Sequence, residues 1–355
     1  MTGQDQIIAA INDARVAKSQ LRVRGHDSKQ HLFPLRAETV DLPTEDLSGV
    51  LQYDPAELVV TVAAGTPIEQ VMALLAQQDQ CFAFEPPCFG ARGTIGGMVS
   101  AGYSGPSRPW SGAVRDAVLG VEMVNGLGEH LRFGGQVMKN VAGYDVSRLM
   151  VGALGALGVL LSVSIRVHPA PECVVTQVFE MTAARANELC RSLAQRYLPV
   201  NATLWHDNKL YVRLSGHQET VLQSARELGG ERLNVATFWV DQTNHNRHFF
   251  SLSGQDAHRR GKKLWRIVTP PAAQLPAMPP LDMLIEWAGG LRWLWHADDD
   301  FVYRYATEQR GWAWPIAHSL GLDSVQQKTM RALKRAFDPD NLFLSPLPLG
   351  LNHAD

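Results

Sequence analysis

Glycine is dense between residues 93 and 116, where the sequence reads GTIGGMVSAGYSGPSRPWSGAVRD. Glycine loses more conformational entropy on ordering than other residues, so this stretch is a poor core helix or strand. It suits a place where the backbone passes close to a phosphate or a flat ring, and where backbone N–H groups bind an anion. The stretch therefore predicts a phosphate-bearing ligand, with an ordinary glycine loop as the alternative. Its glycines are Gly93, Gly96, Gly97, Gly102, Gly105 and Gly112.

The overall composition is that of a globular protein. The chain has 355 residues, of which 45% are hydrophobic and 19% charged, so it is long enough for two domains and apolar enough for a large core. Basic and acidic residues number 33 and 35, and this balance gives no electrostatic argument for nucleic-acid binding.

Cysteine spacing and hydropathy argue against a metal-binding, secreted or membrane-spanning protein. Cys81, Cys88, Cys173 and Cys190 form no C-x-x-C pair, which argues against a zinc ribbon or an iron–sulfur cluster held by this chain alone. No signal peptide and no apolar run of about 20 residues is visible. We therefore expect a cytoplasmic protein with reduced thiols and no metal site.

Periodicity and turn residues predict an α+β protein. Helical spacing covers residues 5–18, and Thr66, Pro67 and Glu69 predict an N-cap, first position and capping box for a second helix. Residues 117–133 predict a hairpin that turns at Asn125-Gly126. Residues 158–168 alternate as a strand.

Pro169 and Pro171 mark the predicted domain boundary, which gives domains 1–170 and 171–355. Beyond this boundary the pattern becomes β-α-β-β-α-β, which predicts an antiparallel sheet with helices on one face. Five tryptophans in the last quarter indicate a core or, alternatively, a subunit interface. They are Trp287, Trp293, Trp295, Trp312 and Trp314.

The order of these parts resembles a known family. A strand followed by RGHDSK is succeeded by AAGTP before a helix, then by EPP, the glycine-rich stretch, a hairpin and KNVAGYDVSRLMVGALGALGVLLSVSIRVHP. This order is similar to the FAD-binding (PCMH-type) domain of the vanillyl-alcohol oxidase/p-cresol methylhydroxylase superfamily. RPWSGAVRD, LRFGGQVMKNVAGYD and SRLMVGALGALGVL resemble, within that superfamily, the FAD-binding E subunits of glycolate oxidase (glycolate dehydrogenase).

The resemblance implies FAD as the cofactor, a two-subdomain FAD-binding domain, and a smaller cap-like C-terminal α+β domain. It implies a first pyrophosphate loop at Arg24, Gly25, His26, Asp27, Ser28 and Lys29. It implies a second loop that follows Pro87 and includes Gly93, Thr94, Ile95, Gly96, Gly97, Ser100, Gly102 and Gly105. Gly112 and Asp116 would lie near the ribityl and phosphate groups, and Gly152, Gly155, Gly158 and Val159 would approach the adenine or flavin ring.

Two departures from the family pattern bear on function. His26 and Asp27 stand where the family has glycine, and the Asp27 carboxylate has the same sign of charge as a pyrophosphate. Residues 338–346 read DPDNLFLSP, without the N-P-G with which the family usually follows this phenylalanine, and the chain lacks the H-x-G-D-G-N element of the catalytic subunits. We therefore expect that this chain alone does not activate the hydroxy acid.

The resemblance implies an oxidoreductase that acts on a small 2-hydroxy acid together with a catalytic flavoprotein (the D subunit) and an iron–sulfur protein (the F subunit). Attachment to the inner membrane through these partners is compatible with that role. Two alternatives stay open: a self-sufficient FAD-linked 2-hydroxyacid or sugar-alcohol dehydrogenase, and a scaffold subunit with a weakened flavin site. Lys139 and Arg148 would be the first residues to mutate in the former, although both also fit surface positions, and Asp145 fits a helix N-cap.

Overall fold

The computed structural model describes residues 3–29, 39–90, 93–135, 145–251, 261–315 and 324–345. The chain divides into two compact units. Unit 1 comprises Met1–Tyr103, Ala113–Pro169 and Ser319–Asp355, and unit 2 comprises Ser104–Gly112 and Ala170–His318. The glycine-rich stretch is therefore shared, because residues 104–112 leave unit 1 and fold with unit 2.

Strands of both units are short and mostly antiparallel. They are β1 (Gln20–Arg24), β2 (Thr39–Pro43), β3 (Val50–Asp54), β4 (Val59–Ala63), β5 (Gln80–Cys81), β6 (Val118–Val124), β7 (His130–Gly134), β8 (Val159–Arg166), β9 (His168–Pro169), β10 (Cys173–Glu180), β11 (Val200–His206), β12 (Lys209–Gly216), β13 (Glu231–Arg232), β14 (Lys263–Val268), β15 (Met283–Glu286), β16 (Leu291–His296) and β17 (Trp312–Pro315).

The helices follow the same order along the chain. They are α1 (Gly3–Ala17), α2 (Ile68–Ala76), α3 (Ile95–Ala101), α4 (Arg108–Ser111), α5 (Val114–Ala117), α6 (Val146–Leu149), α7 (Ala183–Leu193), α8 (Gln218–Leu228), α9 (Phe238–Thr243), α10 (Asp299–Glu308) and α11 (Ser324–Phe337). Single 3-10 turns lie at His248–Phe250, Pro280–Asp282 and Trp287–Gly289.

Unit 1 is built on a sheet of order β3-β4-β8-β6-β7 within the described residues. β8 lies at its centre, where it is buried along nearly its whole length. The predicted hairpin is confirmed in β6 and β7, whose turn is held by Asn125. The Asn125 side-chain oxygen accepts hydrogen bonds from the backbone N–H groups of Leu127 and Glu129, both at 3.0 Å.

A second, parallel pair in unit 1 joins β1 to β2. The backbone of the C-terminal segment pairs with the same strand β1 at Leu21, through an isolated bridge to Phe343. Helix α1 buries Ile7 and Ile11 in the hydrophobic cluster that also contains Leu21 and Phe343. The helical prediction for residues 5–18 is thereby confirmed, and this cluster supports the strand that leads into RGHDSK.

The predicted cap of α2 is wrong. Pro67, not Thr66, occupies the N-cap, and no side chain caps this helix. The Thr66 hydroxyl is buried and donates to the carbonyl of Ala63 at 2.7 Å, while it accepts from the N–H of Gly49 at 2.8 Å. Thr66 therefore joins two strand ends, because a buried hydroxyl must satisfy its own donor and acceptor before it can serve a helix end.

Unit 2 contains an antiparallel sheet of order β13-β10-β12-β11-β15-β16-β14-β17 within the described residues. Helices α7, α8 and α10 cover one face, where their amphipathic sides enter one hydrophobic cluster. The predicted β-α-β-β-α-β order is confirmed by β10, α7, β11, β12, α8 and β13. The second face carries an aromatic cluster that includes Trp287, Trp293 and Trp295.

The five C-terminal tryptophans have different environments. Trp287, Trp293 and Trp295 are buried core residues. Trp314 is half-buried and stacks on the guanidinium of Arg266, whose Cζ lies 4.7 Å from the ring centroid. Trp312 on β17 is 65% exposed. The core interpretation is therefore confirmed for three of the five.

Candidate functional site

Unit 1 contains an open cleft, whose empty space of about 800 Å³ includes solvent at its mouth. Three segments form most of it: the end of β1 with the following loop, helix α3, and β8 with the loop before it. Thr44 and Ala64, which follow β2 and β4, complete the lining. The lining residues are Arg22, Val23, Arg24, Gly25, His26, Asp27, Ser28, Lys29, Thr44, Ala64, Thr94, Gly96, Gly97, Ser100, Ala101, Leu154, Gly155, Gly158 and Leu160. The cleft thus brings together the first predicted pyrophosphate loop, part of the second, and the later glycines Gly155 and Gly158.

The backbone amides at the start of α3 already have partners within the chain. The N–H groups of Ile95 and Gly96 donate to the carbonyls of Thr66 and Ala64 at 2.9 and 2.6 Å, and Gly97 donates to the Thr94 hydroxyl at 3.1 Å. Glycine is required here by close packing, since a Cβ on Gly96 would lie 2.9 Å from the Cβ of Ala64. The glycines of α3 therefore let the segments meet, and their amides do not turn into the cleft.

The amides of the first loop differ from those of α3. Within the described part of the chain, the backbone N–H groups of residues 26–29 have no hydrogen-bond acceptor. Asp27 has a left-handed φ of 56°. Successive N–H groups in a turn can point towards one side, as in anion-binding nests. The loop from His26 to Lys29 thus offers donors for an anion.

Lys29 brings a positive charge to the same loop. Its side chain is 7% exposed, and its ammonium lies 3.4 Å from the Ser28 hydroxyl and 5.6 Å from the centroid of the Phe89 ring. Among the described residues no carboxylate pairs with it. Burial lowers the pKa of Lys29 to about 8. A buried cation without a counter-charge is costly, so an anionic ligand in the cleft would supply the missing partner.

The arginines at the end of β1 pair with the acidic residue that the sequence places in this loop. The Asp27 carboxylate lies 3.2 Å from Arg24 and 3.8 Å from Arg22. Arg22 also forms a bidentate pair with Asp41, at 2.7 and 2.9 Å, and this hydrogen bonding lowers the pKa of Asp41. Arg24 is also paired with Asp41 and Glu45, at 3.4 and 3.5 Å. Two guanidinium groups thus serve three carboxylates, so the Asp27 charge is offset only in part.

The opposite wall of the cleft is apolar and closely packed. Val23, Leu154 and Leu160 line it together with Gly155 and Gly158. A Cβ on Gly155 would lie 3.5 Å from Val23, whereas one on Gly158 would lie 2.6 Å from the carbonyl oxygen of Val124. This wall suits a flat ring, since its backbone approaches the cleft without intervening side chains.

The other predicted site residues lie outside the lining of this cleft. Pro87, Gly93, Ile95, Gly102, Asp116, Gly152 and Val159 belong to unit 1, and Gly105 and Gly112 belong to unit 2. Ile95 and Val159 are buried in hydrophobic clusters. The Asp116 carboxylate accepts the N–H of Ala113 at 2.8 Å, and the carbonyl of Gly105 accepts the indole N–H of Trp287 at 3.0 Å.

Sequence reasoning missed several lining residues, namely Arg22, Val23, Thr44, Ala64, Ala101, Leu154 and Leu160. Strand alternation in β1 could have placed Arg22 and Arg24 on one face. The predicted N-cap at Asp145 is confirmed, since its carboxylate accepts from the N–H of Arg148 at 3.2 Å and pairs with that side chain at 3.3 Å. Lys139 lies outside the described residues.

Unit 2 contains a buried acid that sequence reasoning also missed. Glu286 ends β15, and its carboxylate accepts the indole N–H of Trp293 at 2.9 Å. Burial raises the pKa of Glu286 to about 7, although the nearby Arg266 and Arg247 favour its charged form. Glu286 can therefore exist as a neutral acid or as an anion near neutral pH.

The cleft residues fit FAD better than a metal ion or a purely apolar ligand. The loop at residues 26–29 and Lys29 suit a pyrophosphate, and the wall around Leu154 suits a ring. Among the described residues, no cluster of three or more His, Cys, Asp or Glu side chains is placed to hold a metal. All four cysteines are free thiols. In the part of the chain that the structure describes, no helix has the length and apolarity to cross a membrane.

Residues 1–134 match the family described as FAD binding domain. The fold is shared with alkyldihydroxyacetonephosphate synthase, to which one solved structure aligns with a TM-score of 0.66 and 13% identity over 97% of this chain and 74% of that chain. At this identity the likeness shows the fold alone. Unit 1 is therefore an FAD-binding domain, as the sequence resemblance and the chemistry of its cleft indicate.

Two relatives show to which family of FAD-binding proteins the chain belongs. Glycolate oxidase subunit GlcE of Escherichia coli (strain K12) is 38% identical over 343 residues, which cover 95% of each chain. Glycolate oxidase subunit GlcD of Bacillus subtilis (strain 168) is 31% identical over 155 residues, which cover 43% of this chain and 33% of that protein. The chain belongs to the family of glycolate oxidase GlcE subunits, within the FAD-linked oxidoreductases.

Proposed function

We propose that this protein is the FAD-binding subunit of a glycolate oxidase complex, which oxidises glycolate to glyoxylate. The observation that carries the proposal is Lys29, a buried ammonium without a described carboxylate partner, in a loop whose amides have no acceptor among the described residues. A pyrophosphate supplies the acceptors that this loop lacks. The similarity to a glycolate oxidase subunit along 95% of both chains supports the substrate class.

Each wall of the cleft has its own role in this proposal. The backbone N–H groups of residues 26–29 and the Lys29 ammonium bind the pyrophosphate, while Arg22 and Arg24 offset part of the Asp27 charge. Val23, Leu154 and Leu160 exclude water from one ring of the cofactor. Bound FAD would supply hydride acceptance from the alcohol carbon of a 2-hydroxy acid and onward transfer of the electrons. The predicted residues outside the cleft lining remain predictions.

The proposed complex has two kinds of partner protein. A related catalytic flavoprotein would bind and activate the hydroxy acid. The GlcD protein of Bacillus subtilis, which is similar to part of this chain, is named as another subunit of glycolate oxidase. A separate iron–sulfur protein would accept the electrons, because this chain offers no C-x-x-C pair for a cluster. We propose a cytoplasmic complex that reaches the inner membrane through such partners.

The purified chain tests this function directly. We expect a yellow protein whose flavin is released by acid precipitation, and no turnover of glycolate with an artificial dye until the catalytic partner is added. Turnover by the chain alone would favour the self-sufficient dehydrogenase. A colourless protein that does not take up added FAD would favour the scaffold alternative.

A further inference from the structure

Helix α11 ends in a buried ammonium that joins separate parts of unit 1. Lys334 is 0% exposed, and its Nζ donates to the carbonyls of Ala156 and Phe343, both at 2.8 Å, and to the carboxylate of Asp338. An ammonium has three N–H donors, so Lys334 is fully satisfied. Its partners lie far apart in sequence, which makes it a tie between the C-terminal segment and the loop before β8.

Asp338 completes the tie from the other side. Its carboxylate oxygens accept the backbone N–H groups of Leu342 and Phe343 at 2.9 and 2.8 Å. The segment from Leu342 to Leu344 then lies along β1. The N–H of Leu21 donates to the carbonyl of Leu342 at 2.7 Å, and the N–H of Leu344 donates to the carbonyl of Leu21 at 2.8 Å. The C-terminal segment is therefore an additional edge for the strand that carries Arg22 and Arg24.

The loop held through Ala156 contains a strained residue. Gly152, Leu154, Gly155 and Gly158 all have positive φ, and Leu154 is the residue with a Cβ among them, at 53°. Such conformations persist when the surroundings over-determine them. Helix α3 supplies two restraints, since Gly152 and Leu154 donate to the carbonyls of Val99 and Ser100. Lys334 supplies another at Ala156, between the cleft residues Gly155 and Gly158.

We infer that Lys334 and Asp338 are positioning residues for the FAD cleft, which hold the loop at residues 152–158 and strand β1 at the separation that the cofactor requires. This inference rests on the proposed function of the cleft. The family match covers residues 1–134, so the whole tie lies outside it. A buried ion pair is poor evidence for added stability but can specify one arrangement of the groups that it joins.

Lys334→Met tests the inference, with Arg335→Met as the matched control, because Arg335 is the exposed neighbour on the same helix. FAD binding to the apo full-length chain is titrated by flavin fluorescence, and hydrogen exchange is measured on the apo chain. We expect Lys334→Met to weaken FAD binding at least tenfold and to speed exchange selectively at residues 152–158 and 21–24. Arg335→Met should change neither readout.

Asp338→Asn is the second variant, for use if Lys334→Met does not fold, and we expect smaller changes of the same kind. A dissociation constant within twofold of wild type in a folded variant would overturn the inference. So would faster exchange spread evenly over unit 1, because that pattern indicates general destabilisation. If the wild-type chain itself binds no FAD, the proposed function fails, and the exchange pattern alone then decides whether the tie orders the two segments.

Discussion

Lys29 and Gly97 meet in the cleft, where a Cβ on Gly97 would lie 3.8 Å from the Lys29 ammonium and 3.0 Å from the Thr94 hydroxyl. A carboxylate at position 97 could therefore take the place of an anionic ligand beside Lys29. We expect Gly97→Asp to abolish FAD binding by pairing with Lys29 while the fold persists. Gly97→Ala, which adds the Cβ without the charge, should retain binding. A flavin-loaded Gly97→Asp protein would contradict this assignment.

Removing the Lys29 charge should separate cofactor binding from stability. We expect Lys29→Met to weaken FAD binding roughly 10- to 150-fold, the range that corresponds to one charge-assisted hydrogen bond. The apo protein should become more stable to denaturant at pH 7, because the variant no longer buries an unpaired cation. Lys328→Met, on an exposed position of α11, is the control for both measurements. Equal losses of affinity and stability would argue against a ligand-binding role for Lys29.

FAD affinity should depend on pH through the same residue. In the free protein burial holds the pKa of Lys29 at about 8, and a bound pyrophosphate would raise it by favouring the charged form. Affinity should therefore be constant below pH 8 and fall towards tenfold per pH unit above it. Titrations between pH 6 and 9.5 test this, and Lys29→Met should lose the dependence. A flat wild-type profile would show that the ammonium does not contact the ligand.

Glu286 predicts a different pH dependence, in the stability of unit 2. Its pKa is raised from 4.5 to about 7, so between these values the folded chain retains a proton that the unfolded chain has lost. Stability should fall as pH rises through this window, by on the order of 3 kcal/mol, and then level off. Glu286→Gln should remove that contribution.

Tryptophan fluorescence isolates the effect of Glu286, because all nine tryptophans of the chain lie in unit 2. Denaturant unfolding followed by this signal at pH 5 and pH 8 gives the difference between wild type and Glu286→Gln. Glutamine retains an acceptor for the indole N–H of Trp293, so packing is preserved. The same difference at both pH values would show that Glu286 does not change protonation in this range.

Local patterns predicted much of the fold, including α1, the hairpin at Asn125 and the order of elements in unit 2. They did not predict that Phe343 would pair with Leu21, because strand pairing across the whole chain leaves no local signal. Thr66 was misassigned for a related reason: its hydroxyl serves Gly49, a residue remote in sequence.

The cleft was predictable in part. The segment around Lys29 was identified by resemblance, but the charge balance at Asp27 depends on Arg22 of the preceding strand β1 and on Asp41 of the neighbouring strand β2. Glycine content alone also did not identify the segment whose backbone amides lack a described acceptor. In α3 glycine permits close packing of Gly96 on Ala64. The amides without a described acceptor belong to residues 26–29, none of which is glycine.

The return of the C-terminal segment to β1 affects how this protein is made. A ribosome releases the N-terminal residues first, and domains generally fold as units while synthesis proceeds. Unit 1 is completed late, because Lys334, Asp338 and the segment that pairs with Leu21 are synthesised after the whole of unit 2. Unit 2 can therefore fold first, and a nascent chain that has not reached Lys334 lacks the contacts that join Ala156 and β1 to the C-terminal segment.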